Sequence, residues 1–399
     1  MTPIDRRRFL GSGAAAAGLA SLGLPLRSAL AQSGEIVIGA APPITGVFAF
    51  AGAGLHAGLG DWVEWKNGQG GIAGRKLRYV AEDSSYKVDQ SVAIFKKIVA
   101  QYKPPLFYGD STGWAKAIAP ELSQLGSVLA TGPSFASDLA DPAKAPYYFM
   151  PGPTYSGQIE VLLEYVSRSA AGAAKPAVAF VYSDTEFGRD PIASGKAKAA
   201  KLGIPVVLEV VTKPGAVDVS AEVIKLRRAK PDFVIFHGYV LAPIPEFMRQ
   251  MRDAGMNARG MGTIYTMDKT TIDQMGAAGA GFLGVMPYRY SFDTEKTPTM
   301  ALIREVGSRK PNNPWQTTFY TQGWLVGMIF EQVLGRTLGA KKELTGPNMK
   351  AALESIGKWD TGGIFGVPIA LKTHSIPVGR VYLVKGSTIV PNSDWITIG

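Results

Sequence analysis

The chain has 399 residues, 42 Lys and Arg against 32 Asp and Glu, a formal net charge of +10, and no cysteine. That length suits two domains, each able to bury a core unaided. The absent thiol excludes disulfides, thiolate metal sites, cysteine nucleophiles and a lipidated cysteine. Basic residues are scattered, even where Lys225, Arg227 and Arg228 share a helix, and read as a solvated surface with no nucleic-acid partner.

The first feature in chain order is a leader. Asp5-Arg6-Arg7-Arg8-Phe9-Leu10 opens an Ala/Gly-rich run from Phe9 to Leu26 that closes on Ser28-Ala29-Leu30-Ala31. A basic start, a short greasy middle and a small-x-small end predict a removable twin-arginine-type signal over residues 1–31. The run is too short and too glycine-rich to serve comfortably as a membrane anchor. The expectation is a soluble protein of a bacterial periplasm, freed of its leader and without a lipid tether.

Strand-length apolar segments then alternate with helix-length amphipathic ones. Glu35–Ala41 reads as a strand, Leu55–Gly68 as a helix, Lys76–Ala81 as a strand and Asp89–Tyr102 as a helix. Leu106–Tyr108, the helix Trp114–Leu125 and the strand Val128–Thr131 complete a first half. After Met150-Pro151-Gly152-Pro153, where prolines restrict the backbone, the alternation resumes. Strands are expected at 177–182, 206–211, 232–237 and 281–286, and helices at 191–202, 220–229 and 245–254. A long helix over 316–338 and strands over 380–385 and 388–398 follow. The fold class is α/β: two doubly wound, Rossmann-like lobes with parallel sheets covered by helices on both faces.

Several motifs invite chemistry. Gly109-Asp110-Ser111-Thr112-Gly113 matches G-x-S-x-G between a strand and a helix, the context of a nucleophile elbow. An exported hydrolase would use Ser111 with His237 or His374 as base. The alternative is a strand–loop–helix junction that binds a ligand anion at a helix N-terminus. Gly52-Ala53-Gly54-Leu55-His56-Ala57 fits a loose G-x-G-x-x-A, but it lies too far past its strand for a dinucleotide loop. A flexible loop capping a helix is expected there. His56, His237 and His374 are far apart and lack the carboxylate or histidine spacing of a zinc motif. Neither a metal nor a cofactor is expected.

Ligands of open parallel sheets sit beyond the carboxyl ends of strands. Those positions are rich in hydroxyls and rings: Phe48 and Phe50, Ser111-Thr112, Ser134-Phe135, then Phe187, Tyr239 and Tyr265. A cleft between two lobes would gather them.

Motif order now points to a family. Ile36-Val37-Ile38-Gly39 with Thr45-Gly46 is followed by Asn67-Gly68-Gln69-Gly70-Gly71-Ile72-Ala73-Gly74-Arg75. Ala179-Phe180-Val181-Tyr182-Ser183-Asp184 with Phe187-Gly188, and Lys230-Pro231-Asp232-Phe233-Val234, come later. From about Glu35 to the C-terminus the chain resembles the type I periplasmic substrate-binding proteins of ABC importers, the leucine/isoleucine/valine-binding-like group. The resemblance implies one lobe of 35–150 plus 288–375 and another of 153–286 plus 379–399. Crossovers near 151–153, 286–289 and 374–379 would form a hinge. It also implies a non-enzyme, expected to be a monomer, that closes on a small-molecule ligand and delivers it to a membrane permease. A sensing module of a signalling receptor shares this fold, but would normally be fused to a membrane segment.

By the same resemblance, hydroxyls and N–H groups of Ser111-Thr112-Gly113 and Gly132-Pro133-Ser134-Phe135-Ala136 hold a ligand carboxylate. Ala136 stands where relatives usually carry threonine. The second-lobe stretch Gly262–Met267, where relatives usually meet an α-ammonium, has no carboxylate before Asp268. An ammonium buried without a counter-charge costs several kcal/mol, on the order of an unpaired buried ion. The expected ligand is therefore an aromatic or apolar carboxylate, with a branched-chain or other amino acid as the alternative. The rings of Phe48 or Phe50, Phe135, Tyr155, Phe187, Tyr239 and Tyr265 would line its pocket.

Overall fold

A computed structural model describes residues 34–169, 175–293 and 295–398. The leader expected over 1–31 lies outside the described residues. Two sheets organise the fold. The first, of four strands, begins with β1 (Ile36–Ala40) and α1 (Ala49–Gly68), then β2 (Leu77–Ala81) and α2 (Val88–Tyr102). β3 (Leu106–Tyr108), α3 (Thr112–Leu125) and β4 (Leu129–Thr131) complete it. Its order is β2-β1-β3-β4, all parallel, with Ile36 beside Leu77 and Ile38 beside Leu106. Ile36, Ile38, Leu106, Phe107 and Leu129 are buried, as expected of strands covered on both faces.

The chain passes to the second sheet through Met150–Thr154 and α4 (Tyr155–Ser169), a helix that the strand–helix alternation did not suggest. β5 (Val178–Ser183), α5 (Glu186–Arg189), α6 (Ile192–Lys201), β6 (Val206–Thr212), α7 (Ser220–Ala229) and β7 (Phe233–His237) follow. Then come α8 (Ile244–Asp253), β8 (Arg259–Gly262), α9 (Lys269–Met275) and β9 (Leu283–Met286). Strands β5 to β9 are mutually parallel where they pair.

Beyond β9 the chain returns to the first sheet's side with α10 (Pro298–Ser308), α11 (Thr318–Gly339) and α12 (Gly346–Glu354). It crosses back at 371–378 to form β10 (Val378–Lys385), β11 (Thr388–Pro391) and β12 (Ile396–Thr397). These last strands are antiparallel, β10 pairing with β9 and carrying β11 and β12. The single strand expected over 388–398 is broken at Ser393, whose carbonyl and hydroxyl oxygens accept from Arg380 Nε and the Val381 amide.

α1 begins six residues earlier than its apolar spacing suggests, so Gly52 to Ala57 lie inside a helix and not in a capping loop. Glycines make that possible. A Cβ on Gly58 would sit 2.1 Å from the Tyr320 carbonyl oxygen, and one on Gly323 would sit 2.5 Å from that of Leu55. The stripe lets α11 lie directly along α1, fastening a helix from late in the chain to the first lobe.

Candidate functional site

The carboxyl ends of the parallel strands in both sheets face a common cleft. On the first-lobe side, β3 runs into Gly109, where any Cβ would strike the Trp114 ring at 2.0 Å. The chain then turns through Asp110 to Ser111, the N-cap of α3, whose Oγ accepts from the Trp114 amide at 3.1 Å. The Ser111 hydroxyl proton is committed to Asp110 Oδ1 at 2.8 Å, and Ser84, from the loop after β2, donates to Oδ2 at 2.8 Å. Asp110 is only 1% exposed, and no Lys, Arg or His pairs with it among the described residues. Burial outweighs the hydroxyls of Ser84, Ser111 and Ser91 and pushes its carboxyl up to about 6.

The opposite wall comes from the second lobe. Thr185 caps α5, its Oγ1 accepting from the Gly188 amide at 3.0 Å, and so presents Phe187 to the cleft. His237, at the end of β7, is fully buried. Its Nε2 lies 2.8 Å from the Phe187 carbonyl oxygen and its Nδ1 2.8 Å from Thr263 Oγ1. Because a carbonyl only accepts, Nε2 carries the proton and Nδ1 accepts from Thr263. Burial pulls this imidazole down to about 3, so it is neutral at ordinary pH. Tyr265, in the short turn after β8, stacks on Phe319 of α11 at 5.3 Å and donates to Gln322 Oε1 at 3.0 Å.

Between these walls lies a cavity of about 30 Å3. Asp110, Ser111 and Thr112 form its polar end, while Phe48, Phe187, Val240, Tyr265 and Phe319 supply apolar surface. The lobes are drawn together around it. Asp268, at the start of α9, accepts from the amide of Thr318 in α11 at 2.8 Å, and Asp190 accepts from the Ser137 amide and hydroxyl. Lys116 of α3 reaches Glu186 at 3.3 Å and Asp190 at 3.5 Å. A wider depression of about 610 Å3 opens at the amino ends of β1 and β3, edged by Glu35, Arg75, Lys103 and Lys341. It belongs to one lobe and lies away from the strand ends where parallel sheets bind ligands.

Of the residues expected from the sequence, Ser111, Thr112, Phe187 and Tyr265 lie on the cavity wall. Others stand one layer behind. The Phe135 ring is 5.7 Å from Tyr155 and 6.1 Å from Tyr265, and Tyr155 is 4.9 Å from Phe187. Ser134 and Ala136 are buried and bonded to each other, the Ala136 amide reaching Ser134 Oγ at 3.4 Å, so neither faces the cavity. Tyr239 is off the wall too: its hydroxyl pairs with Thr212 at 2.7 Å, and its neighbour Val240 takes that place. Phe50 also falls outside, edge-on to Phe319, and Phe48, the residue just before α1, lines the cavity in its stead. Ser111 sits where expected but cannot donate to a ligand while its proton serves Asp110.

Sequence reasoning passed over Asp110, although a carboxylate directly after a strand in the cleft-facing loop was a readable signal. Phe319 had none, because it arrives on a helix distant in sequence. The hydrolase arrangement is not assembled. Ser111 bonds to Asp110 and Trp114, His237 to Phe187 and Thr263, and His374 to Tyr148 and Glu354. Among the described residues no group of three metal-ligating side chains comes together, and no helix is long and apolar enough to cross a membrane.

The sequence matches the model of the periplasmic binding protein family over residues 35–388. The chain belongs to that family. Among its relatives, the Leu/Ile/Val-binding protein homolog 3 of Brucella melitensis is 30% identical over 59% of this chain and 62% of its own length. An amino acid binding protein of Pseudomonas aeruginosa is 27% identical over 62% of this chain and 64% of its own. The chain thus spans somewhat under two thirds of both. A branched chain amino acid ABC transporter structure from Thermus thermophilus with bound valine aligns with TM-score 0.84 and 26% identity, covering 92% of this chain and 97% of that one. An ABC transporter solute binding protein of R. palustris in complex with 4-hydroxybenzoate shares the fold at TM-score 0.77 and 18% identity, covering 91% of this chain and 97% of that one.

Proposed function

We propose that this periplasmic binding protein captures a small organic carboxylate with an apolar or aromatic body and hands it to the permease of an ABC importer. The observation that carries this reading is the two-ended cavity, polar at the start of α3 and ringed beyond it by Phe48, Phe187, Tyr265 and Phe319. The amides of Thr112 and Gly113 open α3, and unpaired N–H groups at a helix start favour an anion. Rings at the other end favour a flat or branched hydrocarbon.

A cavity of about 30 Å3 is far smaller than ligand pockets of about 300–1,000 Å3. Admission therefore requires the lobes to separate, with the crossings near 151–153, 286–289 and 374–379 as hinge. Contacts made by both lobes to the ligand then favour the closed state, and the ligand contributes only its differential affinity for that state. The protein acts as a freely diffusing monomer in the periplasm, exported through the twin-arginine leader, and releases its guest chemically unchanged. A branched-chain amino acid is the second reading, favoured by the valine-bound structure at 26% identity.

Calorimetric titration with a panel of aromatic acids, branched-chain fatty acids and amino acids tests the ligand class. Leucine or valine outcompeting every aromatic acid would overturn the first reading in favour of the second. Covalent labelling of Ser111 by a serine-directed phosphonate would overturn the binding role itself.

A further inference from the structure

Asp110 is not required by the carboxylate reading and sits awkwardly with it. A buried acid beside the expected carboxylate site repels an anion when ionised, and its burial is costly unless something is gained. Its two oxygens accept one hydroxyl each, from Ser84 and Ser111, both at 2.8 Å. A carboxylate offers roughly four lone-pair positions, so acceptor capacity remains, and the side chain borders the cavity. Ser91 of α2 places a third hydroxyl beside this carboxylate and has no other partner, while the remaining neighbours are engaged elsewhere. Tyr148 donates to the Ser134 carbonyl oxygen, Tyr155 to that of Pro133, and Trp114 directs its amide to Ser111. Ser111 and Ser84 instead behave as a bracket, holding the carboxylate in one orientation by spending their only protons on it.

We propose that Asp110 is a specificity-determining residue that accepts a proton donor, an N–H or O–H group, carried by the ligand in addition to its carboxylate. The inference rests on the reading of the cavity as a site for organic acids and narrows it to hydroxy- and amino-substituted acids. α-Amino and α-hydroxy acids meet this requirement, whereas unsubstituted alkanoic and aromatic acids leave the buried Asp110 without a ligand partner. A site built to meet a donor discriminates strongly against the analogue that lacks it, because the unmatched polar group stays desolvated. Recognition of an ammonium from this position would also differ from a second-lobe counter-charge. Asp268, the acid nearest the Gly262–Met267 stretch, accepts from the amides of Thr270 and Thr318 and from the Thr318 hydroxyl and does not border the cavity.

The test uses the full mature chain and acids matched except for one donor next to the carboxylate: hydrocinnamate against phenyllactate and phenylalanine, isocaproate against leucine, and phenylacetate against mandelate. In the wild-type protein, at least one donor-bearing acid should bind about tenfold or more tightly than its donor-free partner. Asp110→Asn should shrink that ratio to below about threefold. A merely structural role for Asp110 would weaken both members of a pair equally and leave the ratio untouched, so the ratio is read and not the affinity alone. Equal binding within every wild-type pair overturns the proposal without recourse to any variant, as does an unchanged ratio in a folded Asp110→Asn protein. Failure of every acid to bind wild type would instead overturn the organic-acid reading, and this inference with it.

Discussion

The two walls of the cleft bury ionisable groups by opposite means. On the first-lobe wall, Asp110 is held by two serine hydroxyls and burial pushes its carboxyl up to about 6. On the second-lobe wall, His237 is locked between a carbonyl and a threonine hydroxyl, and burial pulls its imidazole down to about 3. Both shifts favour the neutral form, as desolvation demands, yet they differ in what remains available. Both His237 nitrogens are bonded, which makes it a strut that fixes Phe187. Asp110 keeps acceptor capacity on a cavity wall. Burial alone therefore does not mark a recognition group; unused bonding capacity aimed at the cleft does.

The strongest way to probe that contrast is pH. An unfolded histidine takes up its proton near 6.5, whereas His237 resists until about 3, so the unfolded state binds more protons between those values. Stability present above pH 6.5 is thus lost as pH falls, by up to about 5 kcal/mol across the window. Denaturant melts should show this slope in wild type, and His237→Gln should flatten it. Removal of the ring that His237 positions is comparable in size. Phe187→Ala deletes packing against Tyr155, His237 and Tyr265 and should cost about 3–5 kcal/mol, measured as a lowered midpoint in the same melts.

Asp110 should move stability the other way. Its folded carboxyl holds a proton that the unfolded chain releases near 3.8, so wild type loses up to about 3 kcal/mol as pH rises towards 6. Asp110→Asn should lack this contribution; a variant that still follows the wild-type slope would assign it to other buried acids such as Asp190 or Asp268, both also shifted upward by burial. The smallest effect belongs to the rim. Lys116→Met removes the pairs to Glu186 and Asp190, whose partly exposed ammonium limits the cost to about 1 kcal/mol or less. Small-angle scattering should show a somewhat larger open fraction in the variant, and less sensitivity to salt than wild type.

Much of this was legible along the chain. Alternation of short apolar runs such as Ala179–Tyr182 with amphipathic helices such as Val88–Tyr102 is a local property, since burial on both faces or on one leaves its period in the residues themselves. Motif order likewise pointed to the family, and Ser111, Thr112, Phe187 and Tyr265 were readable as strand-end residues. Three-dimensional placement was not. Phe48, just before α1, took the wall position while Phe50 packed edge-on against Phe319, and Tyr239 turned away where Thr212 offered its hydroxyl a partner. Phe319 joined the wall through the glycine contact of α1 with α11, a pairing more than 250 residues apart that no local pattern encodes.

By itself, then, the sequence determined the α/β class, the family and the strand ends on which a ligand site could be built, because periodicity and turn chemistry act over a few residues. Only the tertiary structure decided which side chains share one cavity, which hydroxyls are already spent, and that Asp110 rather than a second-lobe acid is the carboxylate facing it. Those outcomes depend on desolvation and hydrogen-bond competition among groups brought together from distant parts of the chain, and such energies exist only once the lobes have met.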